Sequence, residues 1–221
     1  YHTLSFGHLV GEVIRRVDGR DLGTYVRDQI ATPLGVDVFV GLGPELDTRV
    51  AELALPPESS MLGPAAHAAL GIDPATIERY DDQHILTPPI CNSRLWRGAQ
   101  IPGANGHTNA RALSRIYGAL SRGGESLLRP ETITASRQPQ VTGPDRTIGR
   151  VTQYGLGWGL PGGDRGYRPG SNGFGHGGAY GSLGWADPDA RLGFGFVFNQ
   201  CGEPQLDGRA ERLLDAACAG L

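Results

Sequence analysis

No lysine occurs anywhere in the 221 residues; all 20 basic side chains are arginine. No ε-amine is therefore available within this stretch as a base, a nucleophile or a fixed charge. Cysteine is scarce too. Cys91, Cys201 and Cys218 are an odd number without Cys-x-x-Cys spacing, which argues against a disulfide framework or a zinc ribbon and for ordinary reduced thiols. No apolar run approaches the roughly 18 residues that span a bilayer, and no signal-peptide pattern opens the chain, so a soluble, cytoplasmic protein is expected. Long runs of like charge are also missing. A net charge of −3 is spread over 19% charged residues and leaves no electrostatic footprint for nucleic acid or anionic lipid. A small molecule is the expected partner.

What is present is a 39% apolar chain, enough to core one domain or most of one over residues 1–221. It opens on Tyr1 rather than methionine and enters an amphipathic pattern at once, with Phe6, Leu9, Val10, Val13, Ile14 and Val17 on one stripe. Thr3 or Ser5 is placed to cap this helix, Gly7 and Gly11 offer a surface for close packing, and Gly19 fits its stop. So abrupt a start predicts that residues preceding Tyr1 belong to the same fold. Asp21 can cap a second helix carrying Leu22, Tyr25, Val26 and Ile30, closed by Thr32-Pro33-Leu34-Gly35, and a short strand is expected over 36–40. From about 41 to 90 the chain is rich in proline and alanine and weakly periodic, which predicts an irregular excursion rather than a second core.

Order returns at Asn109, which can cap a helix with Ala110, Leu113, Ile116, Tyr117 and Leu120 on its apolar face and Gly123-Gly124 as its stop. The last third reads as strands: "TQYGLGWGL" from Thr152, "AYGSLGWAD" from Ala179 and "RLGFGFVFN" from Arg191, the last two joined as a hairpin at Asp187-Pro188-Asp189-Ala190. In the final strand Leu192, Phe194, Phe196 and Phe198 share a face, while Gly193 and Gly195 leave the other nearly bare. Something large must pack closely there. The expected partner is a C-terminal helix with Ala210, Leu213, Leu214 and Ala217 on one stripe. These elements predict an α+β fold, an antiparallel sheet flanked by helices.

Single motifs carry little. "GWGLPG" from Gly157 matches a phosphate-loop spacing but leads into a proline-glycine loop instead of a helix. Ser182 in "YGSLG" falls one glycine short of a nucleophile elbow. His8 and Glu12 are four apart on a helix but lack a third ligand, so no metal and no cofactor are expected. Asn105 and Asn109 read as turn and cap residues, and His107 as a residue that orders its loop.

Three segments together say more. At "YHTLSFGHLVGEVIRRVDGR", "NGHTNARALSRIYGALSRGG" and "GHGGAYGSLGWADPDARLGFGFVFNQ" the chain closely resembles serine hydrolases of the β-lactamase superfamily, nearest to the family VIII carboxylesterases and akin to class C β-lactamases and DD-peptidases. The resemblance runs through essentially the whole chain. It implies a β-lactamase/DD-peptidase-like fold, incomplete at its N-terminal side, and three catalytic elements: Ser-x-x-Lys, a tyrosine opening a Tyr-x-Asn-like motif, and a Lys-Thr-Gly-like strand. Tyr1 matches the tyrosine, with "YHT" in place of Tyr-x-Asn. His176-Gly177-Gly178 matches Lys-Thr-Gly, with histidine replacing lysine. The zero-lysine composition excludes Ser-x-x-Lys from this stretch, so the serine is expected upstream.

What the resemblance then implies is ester hydrolysis through an acyl-enzyme. Tyr1, its phenol pKa lowered by cationic neighbours, would take and return the serine proton. His176 would hydrogen-bond the phenol or the leaving alkoxide, making activity sensitive to mildly acidic pH. The backbone N–H of Ala179 would complete an oxyanion hole, and Gly177 and Gly178 would let the acyl group approach closely. The partners implied are a small-molecule ester and the protein's own N-terminal segment. The alternatives are a D-alanyl peptidase or β-lactamase, and an inactive binding homologue.

Overall fold

The computed structural model describes residues 1–54, 88–147, 150–163, 172–178, 180–202 and 208–220. Helix α1 (Ser5–Asp18) ends where Gly19, at φ 89°, turns its N–H back to the Arg15 carbonyl at 2.9 Å. Neither Thr3 nor Ser5 caps it; the N-cap is Leu4, without a side-chain bond. Its small residues do pack closely. A Cβ on Gly7 would lie 2.8 Å from that of Pro102, and one on Gly11 would lie 3.3 Å from Leu22.

Helix α2 (Leu22–Val26) is capped by Asp21, whose carboxylate accepts the Thr24 N–H at 3.0 Å. A single wide turn over Arg27–Ala31 carries it into α3 (Thr32–Leu34), which stops at Gly35, φ 63°. Pro33 has no N–H to give to the preceding turn, and the wider turn accommodates it. Strand β1 (Val38–Val40) pairs antiparallel with β2 (Gly106–Thr108), an element the sequence did not betray, with His107 opposite Phe39. Most of the expected irregular excursion, residues 55–87, lies outside the described residues. On its flanks are a 3₁₀ turn (Pro44–Arg49) and α4 (Pro88–Cys91), followed by α5 (Arg94–Gly98). The buried Asn105 ties the next loop: its amide donates to the Trp96 and Ala99 carbonyls at 2.8 and 2.7 Å, and its oxygen accepts the Ile101 N–H.

Helix α6 (Ala110–Ser121) forms as its sequence demands. Asn109 accepts the Ala112 N–H at 2.8 Å, and Gly123 and Gly124, both at positive φ, end it. After α7 (Pro130–Ser136) come the hairpin β3 (Val141–Asp145) and β4 (Arg150–Tyr154) and the antiparallel sheet β5 (Phe174–Gly177), β6 (Leu183–Asp187), β7 (Leu192–Phe196). The β6–β7 turn falls at the expected Asp187–Ala190, where the Asp187 carboxylate accepts the N–H groups of Asp189 and Ala190. The "AYGSLGWAD" strand begins only at Leu183, after a turn that the Gly178 N–H closes onto the Ser182 carbonyl. The bridges Tyr154↔Gly159 and Gly159↔Gly175 link the β3–β4 hairpin to β5.

The sheet is covered on both sides, by helices in the reverse of the expected arrangement. The glycine face meets α6: a Cβ on Gly195 would lie 2.6 Å from the Ser114 nitrogen, and one on Gly193 would collide with the Gly118 backbone. The C-terminal helix α8 (Arg209–Ala219) takes the phenylalanine face instead, where Ala210 and Leu214 join Leu183 and Trp185, with Leu192, Phe194, Phe196 and Cys218 against them. Its inward stripe is the buried Ala210 and Leu214 and the partly buried Cys218, at four-residue steps; Leu213 is half exposed and Ala217 faces solvent. The reason is spatial. Two bare Cα positions admit a helix only if its own contact ridge is nearly backbone, as at Ser114 and Gly118, whereas Leu214 needs the side-chain surface of the other face.

Candidate active site

The register of the sheet places His176 opposite Gly184, which is itself opposite Gly195, near one end of β5. Tyr1, just ahead of α1, reaches it across the whole chain. Its hydroxyl lies 3.2 Å from His176 Nε2, and the two rings stack at 18° with centroids 6.0 Å apart. The sequence thus singled out two residues that the fold brings into hydrogen-bond contact. The backbone nitrogen of Tyr1 lies 2.9 Å from an Asp145 carboxylate oxygen on β3. Asp145 is in turn cross-strand from Arg150 of β4. A cavity of about 360 Å³ opens beside Tyr1, walled by the Val141–Asp145 strand, Arg146, Thr147 and Thr152.

Burial sets the electrostatics of the pair. It pushes the Tyr1 phenol above its ordinary pKa; Arg150 pulls it down and Asp145 pushes it up. The expected lowering by cations is therefore not what these residues produce, because one guanidinium does not outweigh the loss of water around the ring. His176 moves the other way. Burial holds its pKa below the ordinary imidazole value and Arg150 adds to this, against a hydrogen bond to the Gly177 backbone. A neutral imidazole facing a protonated phenol results. With the imidazole proton on Nδ1, Nε2 accepts from the Tyr1 hydroxyl.

Gly177 ends β5, and Gly178 starts the turn, its N–H donating to the Ser182 carbonyl at 2.7 Å. A Cβ on Gly178 would crowd Ser182 Oγ, which would have to rotate away. Ala179 lies outside the described residues. His107 is half-buried in β2, and desolvation lowers its pKa. Glu12, the partner considered for His8, accepts hydrogen bonds from Arg15 and Arg16, which hold its carboxyl at about 2. Among the described residues no cluster of histidine, cysteine or carboxylate side chains is arranged to hold a metal. None of their helices is long and apolar enough to cross a membrane.

Sequence reasoning missed Tyr154, Asp145 and Arg150. The Tyr154 ring sits 6.0 Å from that of Tyr1 and 6.3 Å from that of His176. Its sequence context, a strand ending at a glycine, marks a turn and says nothing of which rings lie across it.

The chain is similar to proteins of known structure and family. The esterase/beta-lactamase LipL of Mycobacterium tuberculosis is 34% identical over 219 residues, covering 92% of this chain and 49% of that protein. The crystal structure of a family VIII carboxylesterase superposes on all of the chain with a TM-score of 0.82 at 34% identity, using 58% of its own length. A penicillin-binding protein homologue from Caulobacter crescentus superposes with a TM-score of 0.80, also at 34% identity and 58% of its length. The chain thus spans about half the length of its curated relative. The fold is the β-lactamase/penicillin-binding-protein type of α+β structure. With residues 1–219 matching the Beta-lactamase family, the chain belongs to that family.

Proposed function

We propose that this chain is the C-terminal part of a single β-lactamase-like domain that hydrolyses carboxylic esters through an acyl-enzyme, with the nucleophilic serine in a Ser-x-x-Lys segment preceding Tyr1. The observation that carries the reading is the 3.2 Å contact between the Tyr1 hydroxyl and His176 Nε2, two residues 175 apart in sequence. In this scheme the serine oxygen attacks the ester carbonyl while its proton passes to the Tyr1 oxygen and the phenol hands its own proton to the neutral His176 Nε2. The oxyanion is received by the N–H groups of the serine and of Ala179. The alkoxide then leaves with a proton, and water releases the acyl group by the same route.

A phenol raised by burial stays protonated at neutral pH, so Tyr1 takes the serine proton only as it gives up its own. The upstream lysine supplies the missing cation, which is why the two parts act as one site. The surface that the upstream segment would cover is the outward stripe of α1, where Phe6, Leu9 and Val13 are more than half exposed. Histidine in place of a lysine that receives a substrate carboxylate favours esters over D-alanyl peptides and β-lactams.

The test compares the intact gene product with the 221-residue polypeptide. The intact protein turns over p-nitrophenyl butyrate faster than a chromogenic cephalosporin, and Tyr1→Phe, which keeps the ring, lowers that turnover about 10²- to 10⁴-fold. The isolated polypeptide is inactive. Near-normal turnover by folded Tyr1→Phe, or activity without an upstream Ser-x-x-Lys, defeats the mechanism. Faster cephalosporin turnover replaces the ester assignment with the β-lactamase one, and no turnover by the intact protein leaves a binding homologue.

A further inference from the structure

Tyr154 is the third ring at this site, and the proton-transfer scheme gives it no role. Its backbone is held in register. The Tyr154 carbonyl accepts the Gln140 N–H at 2.8 Å, and the residue pairs with Val141 on β3. On its other side the bridges through Gly159 reach Gly175, the neighbour of His176. Tyr154 is thus fixed to both the β3–β4 hairpin and β5, whereas Tyr1 arrives from a separate segment and is 36% exposed. Its ring lies 31° from the plane of Tyr1 and 24° from that of His176, at nearly equal distances from both. The three rings form a triangle whose sides fall in the range of favourable aromatic contact.

We propose that Tyr154 is a positioning residue: its ring braces the Tyr1 phenol and the His176 imidazole in the mutual orientation that makes their hydrogen bond. This rests on the reading of Tyr1 and His176 as the catalytic pair. A phenol turning about two side-chain bonds samples many orientations, and few of them point its oxygen at Nε2. The ring of Tyr154 occupies space that the swung-out orientations need, and it excludes water from the imidazole. Among the described residues, the charged and titratable groups facing His176 are the Tyr1 phenol and, from β4, the Tyr154 phenol and the Arg150 guanidinium; Asp145 on β3 faces Tyr1.

The experiment measures kcat, KM and their pH profiles for p-nitrophenyl butyrate with the intact gene product. Tyr154→Ala lowers kcat roughly 10- to 100-fold with little change in KM, as expected for misplacement rather than lost binding. It also moves the acid limb of the profile to higher pH, because a rehydrated imidazole protonates more readily. Tyr154→Phe restores most of the rate and the original limb. If the alanine variant does not fold, Tyr154→Leu, which keeps apolar bulk without the ring, is read in the same way. An unchanged kcat and profile in the folded alanine or leucine variant overturns the proposal, as does a phenylalanine variant as impaired as alanine. Loss of activity in Tyr1→Phe together with a normal Tyr154→Ala removes this inference alone; normal rates in both remove the catalytic reading beneath it.

Discussion

The β5–β7 sheet and helix α1 carry equally plain apolar patterns in sequence and meet opposite fates. In the sheet Trp185 and Phe174 are completely buried and Leu183 nearly so, between α6 on one side and α8 on the other. Along α1, Leu9 is 66% and Val17 83% exposed, and the helix buries only Gly11. Periodicity determines that a face is apolar; it does not determine what lies against it. The sheet region supplies both its own covers, one helix from before it in sequence and one from after. Helix α1 touches the described residues through its glycine side and turns its larger side chains outward.

The largest consequence of this contrast lies in the sheet. Gly184 and Gly193 stand where a side chain would meet the Tyr117 ring and the Gly118 backbone. Valine at either position forces α6 off the sheet and should cost about 1–3 kcal/mol or more. Trp185→Ala, which empties the α8 side, should cost about 3–5 kcal/mol. Urea unfolding of the intact gene product measures both. A loss under about 1 kcal/mol for all three would mean that the two helices do not pack as described.

The same faces show how far sequence reading reached. Alternation in "RLGFGFVFN" gave the strand, its bare face and the need for close packing. The caps Asp21 and Asn109 and the Asp187–Ala190 turn were legible because side chain and backbone meet within a few residues. The partner of the bare face was assigned to the wrong helix. Two amphipathic helices were available, and the choice depends on small residues at Ser114 and Gly118, spaced like any helix interior. The short strands β1 and β2 went half unseen, since three residues carry too little pattern. At the candidate site, Tyr1 and His176 were singled out through family likeness, not through local physics, and they lie in contact. Tyr154 and Arg150 were missed because long-range ring and charge contacts leave no local trace.

Where the two regions meet, His176 yields a prediction of intermediate size. Burial depresses its pKa, and the same holds for His107 in β2. In the unfolded chain both protonate near the ordinary imidazole value of about 6.5, whereas in the folded chain they resist until lower pH. The unfolded state therefore binds more protons in that window. Stability is fully present above the unfolded pKa and is lost as pH falls through the folded one. His176→Gln should flatten this slope while leaving the contribution of His107. Arg150→Gln should shift the acid limb of activity upward, since the guanidinium that opposes a charged imidazole is gone. Denaturation midpoints measured from neutral to mildly acidic pH check the first, and a slope unchanged by His176→Gln would place the titration elsewhere.

The smallest effect belongs to α1, and its smallness is informative. Leu9 and Val17 lie two turns apart on the outward stripe, and glutamine is at least as good a helix former as valine. In the 221-residue polypeptide, Leu9→Gln combined with Val17→Gln should change unfolding stability by less than about 0.5 kcal/mol, because little surface leaves or enters water. Self-association should fall at the same time, as a row of exposed apolar side chains attracts its like. The intact gene product gives a different expectation if the serine-bearing segment sits on this stripe. There both side chains are buried, each contributing about 1.5–3 kcal/mol, and the double variant should lose more than about 2 kcal/mol along with ester turnover. Identical small effects in the two proteins would mean that the upstream segment packs elsewhere, and that the outward face of α1 has some other occupant.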